Sequence, residues 1–219
     1  MLTNLTKMNP NKSNKKLNES NIPIYDQHVH CYYSFDSDES IESYLGKATV
    51  LGLKYFVLTD HFDFNSVYYK KDLIFDIKKE QEELKNIQNR YPSIKILKGI
   101  EIGYLKSELN RINKTLSENS FDIINFSIHE NGVIDYYMKD EFLKGGVKET
   151  LKEYFELVLE ALDSKVDFDV LSHFDYGFKT AYLIDKTLKM SDYEECIIKI
   201  FSKLIKMDKT IEVNIKVES

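Results

Sequence analysis

Ile94-Lys95-Ile96-Leu97-Lys98-Gly99-Ile100-Glu101-Ile102, followed after Gly103-Tyr104 by the segment from Leu105 to Glu118, is the stretch on which the fold turns. The first part is short, apolar and rich in isoleucine, which predicts a strand over Ile94 to Ile102; the second carries apolar residues at helical spacing. A strand that passes straight into a helix is one βα unit, and repetition of that unit builds a parallel sheet. Glu101 is the one acid in the run. An unpaired carboxylate buried there would cost several kcal/mol, so something positive must meet it, and a position bridging two cations would satisfy both oxygens.

Outward from this unit the same alternation continues. Strands are predicted at Ile24 to His28, Tyr55 to Thr59, Phe121 to Ile128, Phe168 to Ser172 and Thr210 to Asn214. Helices are predicted at Ile41 to Leu51, Asp72 to Tyr91, Leu105 to Glu118, Lys148 to Leu162 and Asp192 to Lys206. Leu73, Ile77, Leu84, Ile87 and Tyr91 form one apolar stripe, and Leu151, Phe155, Val158 and Leu162 another; both are core-facing. Ser40 and Ser191 stand where N-caps are expected.

The 219 residues, 42% hydrophobic and 30% charged, suffice for one substantial core. Residues 1–21 are dominated by Asn, Lys, Ser and Thr and read as a mobile polar extension; residues 22–219 read as the domain. A net charge of −6, with only Arg90 and Arg111 as arginines, argues against a nucleic-acid partner. Cys31 and Cys196 lie far apart, which suggests neither a disulfide framework nor a cysteine zinc site and fits a cytoplasmic location. No apolar run approaches the roughly 20 residues of a membrane span.

All five histidines fall at or just beyond predicted strand ends: His28 and His30, then His61, His129 and His173. Glu101 occupies the same place on its own strand. Strands of a parallel barrel all open their C-terminal ends on one face, so these six residues would share one mouth. In His28-Val29-His30 two imidazoles one residue apart on extended chain point to the same side and can chelate one cation. The following loop, Ser34-Phe35-Asp36-Ser37-Asp38-Glu39, offers Asp36 as a ligand and its other acids as capping or solvated charge. Asp60 or Asp63 would accept a ring N–H and fix a histidine tautomer.

Asp26-Gln27-His28-Val29-His30, Thr59-Asp60-His61, Gly99-Ile100-Glu101, Ser127-Ile128-His129 and Leu171-Ser172-His173-Phe174-Asp175 resemble, in order and spacing, the motifs of the PHP (polymerase and histidinol phosphatase) superfamily. Thr-Asp-His-Phe-Asp-Phe, Gly-Ile-Glu-Ile-Gly-Tyr and the segment from Ser127 into Ile134-Asp135-Tyr136-Tyr137 resemble its histidinol-phosphatase branch. The resemblance covers about Ile24 to Asn214. It implies a distorted (β/α)7, TIM-like barrel with two or three divalent ions, zinc, manganese or iron, and hydrolysis of a small phosphate monoester. L-histidinol phosphate of histidine biosynthesis is the first candidate substrate, another small ester or nucleotide the second. It further implies that His28, His30 and Glu101 hold one ion, Glu101, His129 and His173 a second, and His61 with Asp36 a third, with Glu101, His129 and His173 at the centre of catalysis.

Members of that family also carry an Asp-x-His motif on a final strand, whereas no histidine follows His173 here. The expectation is a C-terminally truncated barrel, two ligands short, that keeps either a binuclear or weakened site or only an inactive metal-binding remnant, and whose open strand edge invites self-association as a homo-oligomer.

Overall fold

A computed structural model describes residues 25–212. The polar extension at 1–21, the start of the domain at 22–24 and the last strand positions expected at 213 and 214 lie outside them. Six strands form a parallel path in the order β1 (Tyr25–Asp26), β2 (Tyr55–Leu58), β5 (Lys95–Gly103), β6 (Ile123–Ser127), β7 (Val170–Leu171) and β8 (Thr210–Ile211). The helices α1 (Ile41–Leu51), α2 (Ile77–Gln88), α3 (Leu109–Glu118), α4 (Lys139–Gly145), α5 (Val147–Leu162), α6 (Tyr176–Ile184) and α7 (Glu194–Met207) connect them. The result is a mixed α/β fold on a parallel sheet. Among the described residues β1 and β8 are its two edges and do not pair with each other.

Two strands interrupt the regular alternation. The chain leaves β2 at Leu58 and resumes as β3 (His61–Ser66), which pairs with the second half of β5 at His61↔Glu101 and then folds back as β4 (Lys71–Leu73). His61 therefore opens β3, although the sequence placed it at the end of the second strand. Leu73 belongs to β4, which corrects its assignment to the helical stripe, and α2 starts only at Ile77. Its first turn is capped by Asp76, whose carboxylate accepts the Lys79 N–H at 3.1 Å.

Ser40 caps α1 as expected, accepting the Ser43 N–H at 3.2 Å. Ser191 does not cap the last helix. It lies inside a 3₁₀ turn over Met190–Tyr193 that runs directly into α7, so no N-cap serine is needed there.

The main core packs α5, α6 and α7 against the sheet through Phe126, Tyr154, Phe155, Phe168, Leu171 and Leu204. A smaller core lies under α1 and α2 and contains Val29, Cys31, Ile41, Leu45, Phe56, Leu84 and Ile87. The stretch Val29–Cys31 is thus anchored from below by apolar packing. From the side it is tied to the chain after β2 by paired bonds, Thr59 N to Val29 O at 2.9 Å and Val29 N to Thr59 Oγ1 at 3.0 Å. Apolar burial and these bonds together set the height of His28 and His30.

Candidate metal centre

Glu101 sits in the second half of β5, fully buried, between β3 and β6. Ser127 on β6 donates to its Oε1 at 2.6 Å. Gly103, two residues on, matters for its neighbour: a Cβ there would fall 1.9 Å from Asp63 Oδ1, so only glycine leaves room for that carboxylate beside the centre.

All five histidines converge on Glu101. His30 Nε2, His28 Nε2 and His61 Nδ1 stand 3.0, 3.2 and 3.2 Å from Oε2; His173 Nε2 and His129 Nε2 stand 2.8 and 3.3 Å from Oε1. Ring centroids of neighbouring histidines lie 4.4 to 5.5 Å apart. His173 reaches its place with φ of +22°, a backbone conformation side-chain-bearing residues rarely adopt, and such strain persists only where the surroundings hold it.

Three of the nitrogens that face away from Glu101 have carboxylates of their own, while His173 Nδ1 has no hydrogen-bond partner among the described residues. His28 Nδ1 meets Glu212 Oε2 at 2.9 Å, His129 Nδ1 meets Asp63 Oδ1 at 2.7 Å, and His30 Nδ1 meets Asp36 Oδ2 at 3.0 Å. Asp63 Oδ2 also lies 3.1 Å from His61 Nδ1, and Asp36 Oδ2 lies 3.7 Å from His61 Nε2. A carboxylate on the outer nitrogen fixes tautomer and ring angle and leaves the inner lone pair for a cation.

Of the two aspartates offered for that orienting role, Asp63 takes it and Asp60 does not. The Asp60 carboxylate turns toward Cys31, accepting its N–H at 2.7 Å and its S–H at 3.1 Å. Sequence reasoning passed over Glu212. It stands just after β8, and besides His28 its Oε2 accepts the His173 N–H at 3.1 Å, so one carboxylate ties together elements at the two edges of the sheet. The signal was there, an acid after an apolar strand residue at a strand end like Glu101, but its partner lies 184 positions away.

Electrostatics follow from this crowding. Burial alone would raise the Glu101 carboxyl, yet the rings of His61, His28, His129 and His173 around it outweigh burial and hold the group well below the usual carboxylate range. Burial opposes charge on the rings as well. Glu101 and Glu212 nevertheless push His28 up to about 10, Asp36 and Glu101 push His30 to about 9, and Asp63 raises His129 well above its ordinary value. At His173 burial prevails and the ring is lowered. The cluster thus favours positive charge at its centre. A divalent cation would supply that charge in place of the ring protons, which is why such binding releases protons.

Whether the residues suit a cation can be tested on their own geometry. His30 Nε2, Glu101 Oε2, His129 Nε2 and His173 Nδ1 are buried with no properly directed hydrogen bond. Buried polar atoms are seldom left so, and inward-facing nitrogen and carboxylate lone pairs are the donor set of zinc, manganese and iron. Three groups of ligand atoms lie within 4.8 Å of one another: His28, Glu101 and His173; His30, His61 and Glu101; His61, Asp63 and His129. These groupings cut across the sets implied by the resemblance, although His28, His30, His61, Glu101, His129 and His173 are all brought together and Asp36 stands at the rim.

Around the mouth lie aromatic rings. Phe35 packs on His61 at 5.0 Å, and Tyr176 packs on His129 at 5.3 Å and on His173 at 5.1 Å. Neither arginine faces the site: Arg90 pairs with Glu42, and Arg111 with Asp72 and Glu108.

A PHP domain family model matches residues 26–216. A probable histidinol-phosphatase of Clostridium acetobutylicum is 30% identical over 194 residues, which cover 87% of this chain and 72% of that protein. The histidinol-phosphatase of Lactococcus lactis subsp. lactis is 27% identical over 191 residues, 86% of this chain and 70% of that one. The crystal structure of histidinol phosphate phosphatase from the same Lactococcus, complexed with zinc, L-histidinol and phosphate, is similar with a TM-score of 0.79 and 26% identity. It covers 87% of this chain and 72% of that chain.

Proposed function

The chain belongs to the PHP domain family, in its histidinol-phosphatase branch, and on that premise we propose that it is a metal-dependent phosphatase that hydrolyses L-histidinol phosphate to L-histidinol and phosphate. The observation that carries the reading is the buried carboxylate of Glu101 ringed by five histidine nitrogens at 2.8 to 3.3 Å, three of those rings backed by a second carboxylate.

Glu101 presents one oxygen toward His28, His30 and His61 and the other toward His129 and His173. His28 and His30 with Glu101 would hold one ion, His129 and His173 with Glu101 a second, and His61 with Asp36 a third. Zinc, manganese and iron all suit these donors. When bound, such ions take up phosphoryl charge and lower the pKa of a coordinated water so that hydroxide is available near neutral pH.

The chain's own contribution is order. Glu212, Asp63 and Asp36 keep His28, His129 and His30 in the tautomer whose inner nitrogen is free, and the buried floor of β5 and β6 keeps bulk water from the far side of Glu101. Phe35 and Tyr176 offer flat faces beside the centre against which an imidazole-bearing alcohol can lie. With both arginines engaged elsewhere, no guanidinium competes for the phosphate. We place the sheet in a distorted (β/α)7, TIM-like barrel and the enzyme in the cytoplasm. Among the described residues no helix is long and apolar enough to cross a membrane.

Release of inorganic phosphate from L-histidinol phosphate by the purified chain, with manganese or zinc supplied and Glu101→Ala as control, tests the proposal. Turnover that vanishes in the control is expected. A folded, metal-loaded chain that releases no phosphate would refute it.

A further inference from the structure

Among the described residues Glu80 is the other fully buried glutamate. It occupies the core face of α2 between Ile77 and Leu84, where the apolar stripe Ile77, Leu84, Ile87 would place a hydrophobic residue. Neither of its oxygens meets a hydrogen-bond donor among the described residues. The charged groups that face it are acids, Asp60, two residues after β2, and Glu83, one turn along its own helix; the Cys31 thiol and the Tyr33 hydroxyl also lie within reach of its charge. Glu83 is itself taken by the hydroxyls of Tyr32 and Tyr33. Among the described residues no cation is placed to balance a charge on Glu80. Two facing carboxylates in a dry pocket cannot both be ionised, and burial with the Asp60 charge pushes Glu80 up to about 9.

Asp60 is the hub through which this pocket reaches the metal centre. Its carboxylate accepts the Cys31 N–H and S–H, and beside it lies Ser34, whose hydroxyl oxygen accepts the His61 N–H at 2.7 Å. Its backbone carbonyl accepts the Glu101 N–H at 3.0 Å. Cys31 directly follows His30, so the Asp60 carboxylate fixes the strap that carries His28 and His30 and, through Ser34, the start of β3 at His61.

We propose that Glu80 is a positioning residue for the metal centre: a neutral carboxylic acid that donates its proton in a hydrogen bond to Asp60 and so keeps that carboxylate aimed at Cys31 and Ser34. The donor comes from α2, an element that supplies no ligand, and it couples the seating of that helix to the spacing of His28, His30 and His61. The inference rests on the metal-phosphatase reading only for its consequence in turnover; the coupling itself is read from metal binding.

The test compares Glu80→Gln, a neutral donor of the same shape, with Glu80→Leu, which fills the pocket without donating, and Glu80→Asp, which withdraws the carboxyl by one methylene. Manganese alone is titrated into each purified full-length chain, with the thermal midpoint and the kcat and KM for L-histidinol phosphate measured alongside. Glu80→Gln is expected to bind manganese as the native chain does. Glu80→Leu and Glu80→Asp are expected to bind about tenfold more weakly, the low end for losses outside the ligand sphere. The Leu variant should show this without any fall in thermal midpoint, a split that a merely structural role would not produce. Should Glu80→Leu fail to fold, Glu80→Asp carries the comparison. Native manganese affinity in the Leu or Asp variant, or a loss in Glu80→Gln equal to that in Glu80→Leu, overturns the proposal. If the manganese pattern appears but no variant and not even the native chain releases phosphate, the phosphatase reading falls and the positioning role stands.

Discussion

Glu101 and Glu80 are both wholly shut off from solvent, and they end in opposite states. Around Glu101 stand five histidines, and its carboxyl is held far below the usual range; around Glu80 stand other acids, and its carboxyl is driven up to about 9. Burial is the largest influence on both and acts in the same direction on both. The neighbours therefore decide: one pocket is built to keep a negative charge and attract cations, the other to keep a proton and give it away in a hydrogen bond. The same residue type, on a strand in one case and a helix in the other, serves as charge and as neutral wedge within one site.

The sharpest way to break this contrast is to make the same change in both places. Glu101→Gln is expected to reduce manganese binding and turnover by more than the ~100-fold reached by losses outside the ligand sphere, whereas Glu80→Gln changes neither. Equal behaviour of the two variants would show that the pockets do not differ as described.

Smaller is the effect of removing an outer carboxylate. Glu212→Ala frees both the His28 ring and the His173 backbone N–H and should weaken manganese binding by ~10 to 100-fold, with Glu212→Gln recovering part of it because its amide oxygen still accepts from His28. Retention of native affinity in the alanine variant would mean that packing alone sets the His28 ring.

The last contrast is in stability. Folded Glu80 keeps a proton that the unfolded chain loses above an ordinary value of 4.5. Folding therefore binds a proton in the window between 4.5 and about 9, and this group makes the native state less stable as pH rises through it. Urea unfolding of the native chain and of Glu80→Gln, compared at about pH 6 and about pH 8.5, should show the variant gaining on the native chain at the higher pH. Parallel behaviour would mean that Glu80 carries no trapped proton.

Much of the centre was legible because its residues stand out from their surroundings. Five histidines at strand ends and one acid inside an apolar strand are departures from local expectation, and each points at the same mouth. The β3–β4 hairpin was not legible: its residues, His61 to Leu73, mix aromatic and polar side chains without clean alternation, and Leu73 lies four residues before Ile77, which imitates one helical turn. α6 was hidden similarly, its Tyr176–Ile184 segment being short and following His173 without a capping side chain. Glu80 was overlooked because an apolar stripe is read from the residues that fit it. A charged residue at the vacant stripe position, three after Ile77 and four before Leu84, passes for a solvated helix face until the helix is docked. Glu212 depends wholly on tertiary placement, since nothing near it in sequence shows which histidine it will meet.

The Glu212 tie also sets a timetable. A polypeptide made from its N-terminus presents His28 early, while the carboxylate that steadies it is added 184 residues later, after all the intervening strands and helices. Contacts of such long sequence separation form late, because the closure entropy of the intervening chain must be met first. During synthesis the nascent chain therefore carries the histidines before the geometry around them is complete, and the His28 ring is set only when β8 docks.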